Sequence, residues 1–205
     1  MTTEALIQEL AAQARPVKIV GHPLARFAGW VTVAAMWIAA CAMAFGVRTD
    51  VAMASPPAAF LLAVVLPLAF GLAATAVAFV ASVPGSNSRW WTLIAAALVA
   101  SWFGLVIVVA ISAGGQVGVG LKCIRNLAVF SVPPGLLLYF MLRGAAPLDR
   151  GTVGMLAAVG TSALAHAGTR FVCHNDGALH VLAWHCSFVL LLGAGGILAG
   201  RWSFR

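Results

Sequence analysis

The stretch FAGWVTVAAMWIAACAMAFGV, from Phe27 to Val47, decides the class of this protein. It contains 21 residues and no charged side chain. A helix of about 20 apolar residues is long enough to cross the hydrocarbon core of a bilayer. We therefore predict that this stretch is a membrane-spanning helix.

The rest of the 205-residue chain has the same apolar character. Hydrophobic residues make up 62% of it, whereas charged residues make up 8%. Because a soluble domain carries about 25% charged residues, this chain has too little polar surface for a water-solvated globule. The net charge of +7 comes from basic residues that stand singly between apolar runs. Such spacing is typical of orientation charges in membrane proteins, so we expect no direct binding to nucleic acid.

Six apolar segments predict an all-α, six-helix transmembrane bundle. The Pro84-Gly85 turn separates the second and third segments, and the glycine-rich stretch 114–120 ends the third. Because the connections are short, residues 27–205 are predicted to form one transmembrane domain. The spans are expected at 27–47, 58–83, 90–112, 126–142, 151–169 and 179–200. Tryptophans near the ends of these spans are expected to be interface anchors: Trp30, Trp90, Trp91 and Trp202.

Residues 1–26 are predicted to form a short segment ahead of the first span. Acidic Glu4 and Glu9 stand where a signal peptide would be basic, so we do not expect a signal peptide. The segment instead has the pattern of a short amphipathic helix, which Arg15-Pro16 would end. Its apolar stripe consists of Leu6, Ile7, Leu10 and Ala14. Such a stripe requires cover from the membrane surface, from the bundle or from a partner groove.

The distribution of basic residues predicts the orientation of the bundle. With a cytoplasmic N-terminus, eight Lys and Arg residues lie on the cytoplasmic side and four on the other side. This excess predicts that both termini are cytoplasmic. Cys123 and Cys173 then lie in outer loops.

Most of the chemistry of the chain is concentrated around Cys173. Three of the five histidines and two of the four cysteines fall in a segment of 14 residues. The segment contains Cys173-His174-Asn175-Asp176, His180 and His185-Cys186. We predict that the side chains of Cys173 and Cys123 can approach each other. The pair is then redox-responsive, or it is a static disulfide, or the two thiols are unrelated.

A metal site is a further hypothesis for the same segment. Thiolate and imidazole suit zinc, copper and cadmium, and the main candidate ligands are Cys173, His174 and His180. Asp176, His185 and His166 are further candidates. The spacing matches no standard metal motif. His180 and His185 are five residues apart, so an α-helix would place them on different faces. In the alternative interpretation these histidines lie at the membrane–water interface and form hydrogen bonds with water or backbone carbonyls. We then expect no cofactor.

Enzymatic and transport functions lack their usual residues. The chain contains no Cys-x-x-Cys pair, which a thiol oxidoreductase would use. No Asp or Glu lies within a predicted span, where proton-coupled transport would place one. We therefore expect a protein that is not an enzyme. A small transporter, a metal-handling membrane protein and a structural subunit of a complex stay as alternatives.

Several segments together resemble the NrsF-type membrane anti-sigma factors, a family of negative regulators of bacterial extracytoplasmic-function sigma factors. Cys123 precedes a proline-containing fourth span, as the first cysteine of that family does. The other matching segments are Leu6-Ile7 to Leu10-Ala11 with Pro16-Val17, the turn Arg143-Gly144-Ala145-Ala146-Pro147, the set Cys173, Asp176, Trp184 and His185, and Gly200-Arg201-Trp202. Two positions differ. His174-Asn175 replaces a Pro-Glu pair that is frequent in the family, and Val172 stands where a histidine is usual.

The resemblance implies a signalling protein of the bacterial inner membrane. Residues 1–26 would be a cytoplasmic head that binds the partner through Leu6, Ile7, Leu10 and Ala14. The head and the inner loops, which connect the spans on the cytoplasmic side, would hold an extracytoplasmic-function sigma factor at the membrane, away from RNA polymerase. A redox change or a thiol-reactive metal, sensed on the outer side by Cys123 and Cys173, would release that partner. Outer-side residues that would support the sensor are His174, Asp176, Trp184 and His185.

Overall fold

A computed structural model describes residues 2–13, 20–49, 58–86, 89–145 and 147–203. In these ranges every regular element is a helix, which confirms the all-α prediction. The helices are α1 (Thr3–Gln13), α2 (Pro23–Phe45), α3 (Ala58–Ala81), α4 (Arg89–Ala113), α5 (Leu121–Arg143), α6 (Arg150–Thr169) and α7 (Ala178–Ser203).

Five of these helices have the length and apolar composition that a membrane span requires. They are α2, α3, α4, α5 and α7. The sixth predicted span, 151–169, corresponds to α6, which does not meet the same criterion because glycine, serine, threonine and histidine interrupt its apolar residues. Fifteen of its 20 residues are buried. A helix that is buried all round lies at the centre of a bundle, so α6 is the helix around which the others pack.

Glycines allow the neighbouring helices to approach α6 closely. A Cβ atom built on Gly154 would lie 2.2 Å from the carbonyl oxygen of Gly196 in α7. On the α3 side, a Cβ on Gly160 would lie 2.6 Å from the Thr75 methyl group. Small residues at such crossings let two backbones touch, and they position the ends of α6 and α7 against each other.

The fourth predicted span begins later than the helix that contains it. The prediction started at residue 126, because Lys122 and Arg125 end the uncharged run. Helix α5 instead begins at Leu121, since charged side chains do not prevent helix formation at the end of an apolar segment. This extra turn places Cys123 in the first turn of the helix.

The prediction that Trp30 is an interface anchor was wrong. Its side chain is fully buried in the core, and its indole Nε1–H donates a hydrogen bond to the Pro134 carbonyl oxygen at 2.9 Å. Pro134 belongs to a Pro-Pro pair within α5, so this hydrogen bond joins α2 to α5. Trp90, Trp91 and Trp202 are exposed on the surface.

Candidate thiol and imidazole site

Four side chains with metal-ligating atoms converge where α5 begins and α6 gives way to α7. They are Cys123 in the first turn of α5, Cys173 in the α6–α7 connection, and His180 and His185 in α7. One ligating atom from each residue lies within 4.8 Å of the others, and all four residues are buried. The site therefore joins three segments that are distant in sequence.

The two cysteines lie in direct contact. Their Sγ atoms are 3.3 Å apart, and both cysteines are free thiols. The Nε2 atom of His180 lies 3.3 Å from the Cys123 sulfur and 4.0 Å from the Cys173 sulfur. The structure thus brings together the two thiols singled out from the sequence.

The hydrogen bond between the thiols makes them unequal. With Cys123 as the donor, this bond lowers the pKa of the Cys173 thiol, although burial acts in the opposite direction. The neighbouring His185 imidazole lowers the pKa of Cys173 further. Because the thiolate is both the nucleophile and the metal ligand, Cys173 is the more reactive member of the pair.

Two buried arginines hold the α6–α7 connection in place. Arg48, just after α2, donates from Nη1 to the Cys173 carbonyl oxygen at 2.7 Å and forms a two-point ion pair with Asp176, with both contacts at 2.8 Å. Arg170 donates from Nη2 to the same carboxylate. The two guanidinium groups are almost fully buried, whereas Asp176 is half exposed. The connection around Cys173 is consequently tied to the end of α2.

The prediction that His180 and His185 occupy different faces of a helix was wrong. Residues Val181–Cys186 form a π-helical turn, in which hydrogen bonds join residues five apart. Wider winding places positions i and i+5 on one face, and the two imidazole rings lie with their centroids 5.6 Å apart. Such turns within α-helices are frequent at functional sites. Sequence patterns give no signal for a π-helical turn, so an α-helical wheel separates these histidines.

His180 is oriented by the segment between α4 and α5. Its Nδ1 atom lies 2.9 Å from the Val117 carbonyl oxygen, which only accepts hydrogen bonds, so Nδ1 carries the proton. In the neutral ring the Nε2 lone pair then points at the thiols. Nearby, the Trp184 indole donates to the Gly118 carbonyl oxygen at 3.2 Å.

Glycine at 120 is required beneath the Trp184 ring. A Cβ atom at position 120 would lie 2.2 Å from the indole, which leaves no space for any other residue. The ring therefore fixes the turn that leads into α5 and Cys123.

His185 is held by His166, a further candidate ligand of the sequence analysis. Its Nδ1 atom lies 2.9 Å from Nδ1 of His166 in α6. The Nε2 atom of His185 is buried and has no hydrogen-bond partner within the described part of the chain. An unpartnered buried nitrogen is costly unless it has a ligand, so this atom is a candidate for binding.

The other predicted site residues lie apart from the cluster. The His174 side chain is exposed and does not join the four converging residues. Leu6, Ile7 and Leu10 are exposed on α1, which has no buried residue. Ala14 lies outside the described residues.

Sequence reasoning missed the residues that support the cluster from other helices. They are Arg48, which is far from the Cys173 segment in sequence, and Arg170, which precedes Cys173 by three residues at a spacing that matches no motif. The sequence signal that marks each arginine is a charged residue within an otherwise apolar chain.

A cavity of about 480 Å³ borders the site, with His166, Arg170 and Trp102 among its lining residues.

These features define a class: a helical protein with several helices able to span a membrane and a buried site of two thiols and two imidazoles. The family model described as "Negative regulator of sigma F", NrsF, matches residues 10–205. The chain therefore belongs to the NrsF family, a regulatory family whose description names a sigma factor as the regulated partner. No curated protein and no solved structure shows significant similarity to it.

Proposed function

We propose that this protein is a membrane-embedded anti-sigma factor of the bacterial inner membrane with both termini in the cytoplasm. It sequesters an extracytoplasmic-function sigma factor and releases it when a redox change or a thiol-reactive metal acts on Cys123 and Cys173 at the outer side. The observation that carries this proposal is the 3.3 Å contact between the sulfur atoms of two free, buried cysteines that are fifty residues apart in sequence.

The surface of the bundle supports a position within the membrane. Large apolar side chains are exposed along the helices that are long enough to span, such as Val108, Ile111 and Leu191, which are 62%, 80% and 72% exposed. Water would disfavour contiguous apolar surface of this kind, whereas lipid chains solvate it.

The contacts of the site provide a route to the head. A covalent or coordinate bond at Cys173 would move the α6–α7 connection, whose carbonyl and carboxylate groups bind Arg48 at the end of α2. Helix α2 has 23 residues, so it extends about 35 Å, and its other end leads to α1. A signal shifts the equilibrium only if it stabilises one arrangement over another. A new bond between two segments satisfies this condition.

The test is a double substitution, Cys123→Ser with Cys173→Ser. Because serine keeps the size but removes the thiol chemistry, we expect a membrane protein that still restrains its sigma factor and no longer responds to diamide or cadmium. The measurements are a sigma-dependent reporter and the amount of protein in the membrane fraction. The matched control is Cys41→Ser with Cys186→Ser, which removes two thiols outside the cluster and leaves the response intact.

A normal response of the Cys123/Cys173 double variant contradicts the sensor role. Loss of response in both double variants contradicts it as well, because the effect would then be general to buried thiols.

A further inference from the structure

We propose that Cys123, Cys173, His180 and His185 form a tetrahedral site for one divalent d10 cation of the zinc and cadmium type. This inference rests on the proposed function and specifies the chemistry of its signal: a metal coordinated by two thiolates and two imidazoles. One of the four ligands, Cys123, lies outside the set of metal ligands predicted from the sequence.

The distances fit tetrahedral coordination. With Zn–S bonds of about 2.3 Å and Zn–N bonds of about 2.0–2.1 Å, neighbouring ligand atoms in a tetrahedron lie about 3.3–3.8 Å apart. The sulfur–sulfur distance is 3.3 Å, and the distances from His180 Nε2 to the two sulfurs are 3.3 and 4.0 Å. All four ligating atoms lie within 4.8 Å of one another. Side-chain movements of about 1 Å or less would therefore bring them to tetrahedral separations.

Both imidazoles are oriented as metal ligands require. A metal-bound histidine uses one ring nitrogen for the metal and donates its other N–H to a carbonyl or a similar acceptor. His180 has this arrangement, because its Nδ1–H donates to the Val117 carbonyl oxygen and Nε2 faces the sulfurs. His185 has its Nδ1 atom against His166, and its buried Nε2 atom has no hydrogen-bond partner among the described residues.

The site also balances charge in a buried position. Two thiolates neutralise one divalent cation, which avoids the cost of an unpaired ion in an apolar environment. Sulfur and imidazole nitrogen favour zinc and cadmium over magnesium or calcium. Because all four positions are taken by protein atoms, the site is closed, as in structural and regulatory zinc sites, and has no open position for catalysis.

The coordinated metal would clamp three segments together. Cys123 belongs to α5, Cys173 to the α6–α7 connection, and the histidines to the π-helical turn of α7. Binding would therefore fix the same connection that contacts Arg48 and α2.

The experiment uses the full chain, purified in detergent, reduced and treated with a chelator. Equilibrium dialysis against zinc, followed by metal analysis, is expected to show one zinc ion per chain. Cobalt is expected to give the intense visible bands of a tetrahedral ion together with thiolate charge-transfer absorption. The NMR shift of bound ¹¹³Cd is expected in the range of two sulfur and two nitrogen ligands. This last measurement needs no variant and therefore does not depend on the folding of one.

The ligand variants are Cys123→Ser, Cys173→Ser, His180→Gln and His185→Gln, and the controls are His174→Gln and Cys41→Ser. Loss of any one ligand is expected to weaken zinc binding by more than about 100-fold. Replacing a residue that only hydrogen-bonds to a metal ligand already lowers metal affinity by about 10–100-fold. The controls are expected to bind as the unmodified chain does. Unchanged affinity of both histidine variants, or a cadmium shift typical of oxygen ligands, would overturn the proposal.

Failure of this inference and failure of the proposed function are distinguishable. If the protein does not bind zinc but diamide still releases the sigma factor, the proposal of a metal site is wrong and the sensor role stands. If the protein binds zinc but substitution of Cys123 and Cys173 does not affect release of the sigma factor, the proposal of a metal site stands and the sensor role is wrong.

Discussion

At the scale of single residues, the electrostatics of the site depend on Asp176. Arg48 and Arg170 are 6% and 3% exposed, and both bind its carboxylate. A buried guanidinium needs a partner because the apolar interior does not solvate it. The resemblance to anti-sigma factors marked Asp176 as a supporting residue, and the structure gives that role a physical meaning: it holds the connection that contains Cys173.

Replacement of Asp176 by Asn is expected to destabilise the protein by about 2 kcal/mol, the range for losing hydrogen bonds to charged groups. The asparagine side chain keeps the shape but removes the negative charge that both guanidinium groups bind. Thermal unfolding in detergent measures the change, with His174→Ala as a control at an exposed position in the same connection. Equal midpoints for the two variants would show that the ion pairs contribute nothing to stability.

At the scale of helices, winding and close packing decide which side chains meet. The π-helical turn at Val181–Cys186 places His180 and His185 on one face, which an α-helix would not do. Antiparallel packing of α6 and α7, which is close at Gly154 and Gly196, also places the π-helical turn beside the other end of α6, where His166 contacts His185. The site therefore depends on the glycines of the crossing as well as on its own residues.

Gly196→Ala is expected to destabilise the protein by about 1–3 kcal/mol, the usual cost of overpacking. The added Cβ would lie 2.4 Å from the Gly154 carbonyl oxygen and 2.6 Å from the Ala158 side chain, so α6 and α7 would have to separate. Gly195→Ala is the matched control. It lies next to Gly196 on the exposed side with nothing within 4 Å, so alanine there is expected to be neutral or slightly stabilising. Chemical or thermal unfolding in detergent measures both, and equal effects would contradict close packing at this crossing.

At the scale of the whole molecule, the candidate sensor and the candidate partner surface belong to different parts of the chain. The site lies where α2 ends, whereas α1 precedes the beginning of α2. Helix α1 has no buried residue, and Leu6, Ile7 and Leu10 are 41%, 60% and 61% exposed. An apolar surface of this kind is suited to a groove on another protein.

Leu6→Asp with Leu10→Asp is expected to abolish co-purification of the sigma factor, because two charges would have to enter an apolar interface. Gln8→Asp with Ala12→Asp introduces the same charges at the same spacing on another face of α1, and it is expected to retain the partner. Affinity purification from detergent, with the membrane fraction as a check on expression, provides the measurement. Retention of the sigma factor by the leucine variant would move the interface to the inner loops.

The sequence predicted the fold class well because hydropathy is a local property. Runs such as Phe27–Val47 are apolar whatever their neighbours are, and the five helices suited to span a membrane follow from such runs. Helix ends that carry charged residues were harder to predict, since α5 begins five residues before its predicted span. Trp30 was misplaced because its burial depends on a carbonyl in α5 that is 104 residues away.

By itself, the sequence determined that the chain is helical and apolar, that its thiols and histidines are concentrated around Cys173, and that it resembles the family to which it belongs. Only the tertiary structure decided which of these groups meet. Cys123 and His185 join Cys173 and His180 because helix ends distant in sequence pack together and because one turn of α7 is π-helical. Contacts between distant segments depend on packing and on hydrogen-bond partners elsewhere in the chain, and no local pattern carries that information.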